Sequence, residues 1–135
     1  MIVAKRKPLD EIKDMIKGYK KVLTVGCGTC VAVCLAGGEK EVAVLNAELD
    51  MARRLEDNPV ELGAETLERQ CDREYLAELD DKVNDYEAVI SLACGVGIQF
   101  LAERFPGPFH VRRAPVMNGE SKAPFQEKGL YFIDP

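Results

Sequence analysis

The sequence predicts an α/β domain with a small, open, mostly parallel sheet flanked by helices. Two observations carry this. Short β-branched runs, "KVLTVG" and "YEAVISLA", alternate with longer stretches whose apolar residues recur at helical spacing. Glycine or proline punctuates the joins, and strands alternating with helices build parallel sheets covered on both faces. A third observation concerns what the sheet is for. Cys27, Cys71 and Cys94 each fall just past the end of an expected strand.

The elements follow in order. "KPLDEIKDMIKGY" sets Leu9, Ile12, Met15 and Ile16 on one helical face, with Pro8 near the start and Gly18 as a stop. "KVLTVG" is a buried strand closed by Gly26. Thr29 to Ala36 reads as a short helix, with Thr29 as N-cap and Gly37-Gly38 as the break. A longer helix is expected from Glu39 to Glu56, because Val42, Leu45, Leu49 and Ala52 share a face. Asn58-Pro59 ends it. In "VELGAETLERQC" the strand is expected in the second half, leading into Cys71. Asp72 can cap a helix carrying Tyr75, Leu76 and Leu79. "YEAVISLA" is the clearest strand, followed by Cys94 and a helix with Val96, Phe100 and Leu101 that stops at "FPGP". "FHVRRA" supplies a last strand. Residues 1–114 thus form one α/β domain, and 115–135 an irregular C-terminal tail that docks on this domain or on a partner. The expected architecture is Rossmann or flavodoxin-like, with the cysteines gathered at the C-terminal edge of the strands, where open α/β sheets bind ligands.

Composition removes several functions. The 135 residues suffice for one core without staples, and 47% apolar with 30% charged residues is ordinary globular usage. A net charge of −5 and the lack of a basic patch argue against nucleic acid or an anionic membrane as partner. No apolar run is long enough to span a bilayer. "MIVAKRKPLDEI" lacks the apolar region of a signal peptide, so a cytoplasmic location is expected. Disulfides are disfavoured there, and five cysteines is an odd number for a closed disulfide framework.

Metal or redox chemistry therefore becomes the expected use of the thiols. Cys30 and Cys34 are four apart and share a helix face, while Cys27 lies in the turn before them between Gly26 and Gly28. C-x2-C-x3-C plus one remote cysteine supplies the four thiolates of a [4Fe–4S] cluster. Gly26, Gly28 and Gly95 let the backbone approach such a group, and the amides around Gly28 and Thr29 favour its negative charge. The fourth thiolate comes from Cys94, which has glycines beside it in "SLACGVGIQ", or from Cys71 in "RQCDRE". Zinc is the competing occupant, since four thiolates also make a closed structural zinc site. A thiol redox sensor, with one cysteine as a reversible disulfide partner, is the other alternative.

Other residues suggest less. The single histidine, His110, reads as strand or surface, and no nucleophile–base–orienter set can be assembled. Glu39, Glu41, Arg53 and Arg54 read as a solvated helix face, with "GEKE" as a capping-box analogue. Arg69 and Gln99 read as solvent-exposed residues near the cysteine edge.

The blocks "KPLDEIKDMIKGYKKVLTVGCGTCVAVCLAGGEKEV", "RQCD" and "SLACGVGIQFLAERFPG" resemble the methylenetetrahydrofolate reductase C-terminal domain family, from Lys7 to Gly107. The resemblance implies an iron–sulfur electron-transfer subunit for a flavin-containing TIM-barrel reductase that converts methylenetetrahydrofolate to methyltetrahydrofolate. Other redox proteins are further partners the family implies. It also implies that Cys27, Cys30 and Cys34, with Cys94 or Cys71, are the family's cysteine positions. Longer relatives carry further cysteines near the C-terminus, and this chain has none after Cys94. A second metal site is not expected.

Overall fold

The computed structural model describes residues 4–6, 8–105, 110–113 and 115–117. Its elements are β1 (Ala4–Arg6), α1 (Leu9–Met15), β2 (Lys21–Cys27), α2 (Cys30–Val33), α3 (Glu39–Leu55), β3 (Glu61–Leu67), α4 (Arg73–Leu76), β4 (Ala88–Leu92), α5 (Gly95–Arg104), β5 (His110–Arg113) and β6 (Pro115–Met117). Two 3-10 turns, Ala77–Leu79 and Val83–Asp85, lie between α4 and β4.

The main sheet runs in the order β3-β2-β4-β5, with every pair parallel. It is the open α/β sheet that the alternating pattern predicts. The crossover from β2 through α3 places β3 on one side of β2. The chain then returns past β2 to lay β4 on its other side. The β2/β4 boundary is therefore the topological switch point, and the crevice beyond the carboxyl ends of these two strands is where such folds receive ligands.

Burial follows this order. β2 and β4 are covered on both faces, so Val22 to Cys27 and Ala88 to Leu92 are buried without alternation. One face packs Val22, Ala88, Ile90 and Leu92 against Ile12 and Ile16 from the α1 region and Val42, Leu45 and Leu49 of α3. The other packs Leu23, Val25, Cys27 and Val89 against Leu76, Leu79, Ile98 and Leu101. β3 is an edge strand, mostly half-buried, and correspondingly polar. Thr24 in β2 and Asn46 in α3 bridge the sheet to its helix layer: the Thr24 hydroxyl donates to Asn46 Oδ1 at 2.6 Å, and Asn46 Nδ2 donates to the Gly63 carbonyl at 3.1 Å.

Several expectations need correction. The third strand occupies the first part of its segment and ends at Leu67, so Cys71 stands four residues beyond it. As an edge strand it needs no continuous apolar run, and the chain has left the sheet before it reaches the buried Gln70. α3 spans the expected residues, but its N-cap is Gly38 with no side-chain cap bond, so "GEKE" is not a capping box. Glu39 and Glu41 instead favour the helix through its positive N-terminal pole. Arg53 is not solvated. It is 1% exposed, because the returning chain after α3 and the end of α1 close over it. The tail is not wholly irregular: Pro115–Met117 pairs antiparallel with Ala4–Arg6. The remaining tail residues, 118–135, lie outside the described residues.

Asp72 caps α4 as expected, accepting the Glu74 amide at 2.9 Å. Asp72→Ala is expected to cost about 1 kcal/mol, read as a lower urea midpoint at unchanged slope. Among the described residues no helix is long and apolar enough to cross a membrane.

Candidate metal centre

The site begins where β2 ends. Cys27 is the last strand residue and buried, and its amide donates to the Gly37 carbonyl at 2.9 Å. Gly26 makes this possible. A Cβ there would stand 2.8 Å from both the Gly37 oxygen and Val42 Cγ2, too close for any side chain. Gly28 is under no such pressure: an added Cβ would meet only ordinary contacts, the nearest the Leu67 oxygen at 3.4 Å. Its amide is what matters, donating to the Leu67 carbonyl at 2.8 Å.

Thr29 precedes α2 but does not cap it. Its hydroxyl donates instead to the Glu68 carbonyl at 2.6 Å and lies 3.7 Å from Cys27 Sγ. This corrects the sequence expectation: the threonine fastens the β2 exit to the β3 exit. The expected helix to Ala36 is a single turn, Cys30–Val33. It closes by the Leu35 amide donating to Ala32 O and the Ala36 amide to Val31 O, with Leu35 left-handed at φ 55°. That is a Schellman ending, in which glycine is the usual occupant. Cys34 caps the turn and packs partly against the core.

Cys94 arrives from the neighbouring strand. It is the N-cap of α5, two residues past β4 and half-buried, and its carbonyl accepts the Ile98 amide at 3.1 Å. Gly95 follows as the first, buried residue of α5.

Cys27 and Cys94 both act electrostatically on Cys30. Burial pushes the Cys30 thiol above its ordinary value, and the nearby Cys94 and Cys27 thiolates push it the same way. The Val31 amide and its own amide pull in the opposite direction by hydrogen bonding to the sulfur. These amides suit an anionic sulfur, whereas burial and the neighbouring cysteines oppose it.

Cys71 is exposed and follows the buried Gln70. All five cysteines are free thiols. Among the described residues no group of three or more Cys, His, Asp or Glu side chains is already arranged to hold a metal ion. The donor set is nonetheless all sulfur, which matches a cubane cluster and zinc alike.

The remaining sequence expectations fall out as follows. Arg69 and Gln99 are exposed, the latter donating to Glu103 at 3.2 Å. His110 lies in β5, beside Ala88 of β4 in register. Sequence reasoning missed Gln70 and Ser91, both fully buried below the cysteine edge. Gln70 sits in a loop with no periodic signal, and Ser91 is one polar residue inside an otherwise apolar buried strand, so neither was marked. It also missed the apolar rim: Val33 is 84% exposed and Leu35 77%, on either side of Cys34.

In the metal-free chain, alkylation of Cys30 by iodoacetamide should rise at higher pH than for a free cysteine. The folded chain holds that proton more tightly than the unfolded one. The resulting stability is present below the unfolded thiol value and lost as pH climbs from there through the folded value. Mass-spectrometric alkylation rates between about pH 7 and 10 check this.

No family model matches the chain, and neither a curated protein nor a solved structure matches it.

Proposed function

We propose that the chain is an iron–sulfur electron-transfer subunit in which Cys27, Cys30, Cys34 and Cys94 hold a [4Fe–4S] cluster. The observation that supports this reading is the placement of Cys27 at the end of β2, with Cys30 and Cys34 just beyond it, and of Cys94 two residues past the adjacent parallel strand β4. Four thiolates are what a cubane requires, and when bound it supplies reversible one-electron transfer. The chain's own residues do the rest. The Cys30 and Val31 amides point at the Cys30 sulfur and partly offset the burial that favours its protonated form. Cys27, packed into the core, fixes one corner, and Cys34 turns the chain away at another. Cys71, exposed four residues beyond β3, is not one of the four in this reading.

The proposed partner follows from the sequence resemblance: a flavin-containing barrel subunit that reduces methylenetetrahydrofolate. In this reading the chain acts as that subunit's electron supply. Val33 and Leu35, exposed beside Cys34, give such a partner an apolar surface next to the thiols.

Anaerobic purification tests the reading. A brown protein with about four iron and four sulfide per chain is the expected result. A colourless protein with stoichiometric zinc would replace electron transfer by a structural role. Co-expression with the barrel reductase then tests partnership, through co-elution and donor-driven flavin reduction that requires Cys30.

A further inference from the structure

Gln70 lies fully buried beneath the cysteine edge. Its Nε2 donates to the Val25 carbonyl of β2 at 2.9 Å, and its Oε1 accepts the Ser91 hydroxyl of β4 at 2.5 Å. Val25 and Ser91 are register partners in the two central strands. Val25 stands two residues before Cys27, and Ser91 three before Cys94. One side-chain amide therefore bridges the two strands just before each releases its cysteine. α5, which begins directly after Cys94, rests on the same residue: a Cβ at Gly97 would stand 3.0 Å from that of Gln70. The loop carrying Gln70 is itself fastened to the β2 exit through Gly28 and Thr29.

We infer that Gln70 is a positioning residue for the thiol site, setting the separation between the Cys27–Cys30 loop and Cys94. The inference rests on reading these cysteines as a metal-binding set. A buried amide must satisfy both its donor and its acceptor, and glutamine offers them in different directions. It thereby fixes two strand ends more narrowly than an apolar side chain of the same size. Groups that orient ligands in this way change metal affinity by about 10- to 100-fold when removed.

Gln70→Met keeps length and volume and removes both hydrogen bonds, whereas Ser91→Ala removes one. Metal-free wild type and both variants are titrated anaerobically with Co2+, whose thiolate charge-transfer band reports affinity and the number of sulfur ligands. Each is also reconstituted with iron and sulfide, and the reduced state is compared by electron paramagnetic resonance. Gln70→Met is expected to bind Co2+ about 10- to 100-fold more weakly with a diminished charge-transfer band, with Ser91→Ala intermediate and far-ultraviolet circular dichroism unchanged. Wild-type affinity and spectra in both variants would overturn the inference. Should Gln70→Met fail to fold, wild-type Co2+ binding by Ser91→Ala overturns it and weakened binding supports it. A wild-type chain that binds Co2+ through several thiolates but assembles no cluster ends the electron-transfer reading, while the Co2+ comparison still decides Gln70. A wild-type chain that binds no Co2+ ends both.

Discussion

Cys30→Ala, purified anaerobically, is expected to be colourless and essentially free of iron while keeping the far-ultraviolet spectrum of the wild type. Cys30 is exposed on the first residue of α2, so trimming it removes little packing and should change stability by only about 0.5 kcal/mol. Its thiol is under the electrostatic influence of Cys27 and Cys94, from both central strands, and is hydrogen-bonded by two backbone amides. Cys94→Ala and Cys71→Ala should differ from each other. The first is expected to lose the cluster, and the second to retain it. Cys94 lies two residues past β4 beside the β2 exit and influences Cys30 electrostatically, whereas Cys71 stands four residues beyond the edge strand. Iron and sulfide analysis together with visible absorption checks all three. Full clusters in both of the latter variants would refute convergence of the strand ends on a metal.

Arg53→Met is expected to have the largest effect on the fold, about 3–5 kcal/mol. The buried guanidinium donates to three backbone carbonyls: Asn58 at 2.6 Å, Ile16 at 2.9 Å and Tyr19 at 2.9 Å. It joins the end of α3 to the chain leaving α1 and to the turn before β3. Methionine fills much of the space but leaves those oxygens without donors, and an unsatisfied buried acceptor costs about 1–3 kcal/mol. Arg54 is the control. It is exposed, bonded to Asp50 at 3.0 Å, and its removal should change stability by no more than about 0.5 kcal/mol. Thermal unfolding separates the two, with a drop of about 10–15 °C for Arg53→Met against a marginal one for Arg54→Ala. α3 is about 25 Å long, and Arg53 lies at the end away from the cysteines. Arg53→Met protein that folds at low temperature should therefore still take up iron.

What the sequence disclosed depended on whether a residue's role had a period. α3 and β4 were legible because apolar spacing marks a helix face and a doubly covered strand. β3 was placed too late, since "ELGAETL" is an edge strand whose alternation is blurred by half-exposure. Arg53 and Arg54 are adjacent and chemically alike, and only the path of the returning loop decides which is entombed. Gln70 acts through strands far from it in sequence, so no local pattern reveals it. The pairing of β1 with β6 joins two three-residue segments from opposite ends of the chain, too short and too distant for a local signal. The cysteines were the reverse case. Their spacing suggests a chemistry and the parallel sheet supplies a common edge, but which cysteines lie on adjacent strands depended on strand order.

That strand order also sets a timetable. Because β2 pairs with β4 across the switch point, the Cys27–Cys30 loop acquires its neighbour Cys94 only after the α3, β3 and α4 segments have emerged and docked. Contacts between segments so far apart in the chain form late in folding. A chain still being synthesised and truncated before β4 would present Cys27, Cys30, Cys34 and Cys71 but not Cys94, so under the proposed function correct metal loading has to follow folding rather than template it.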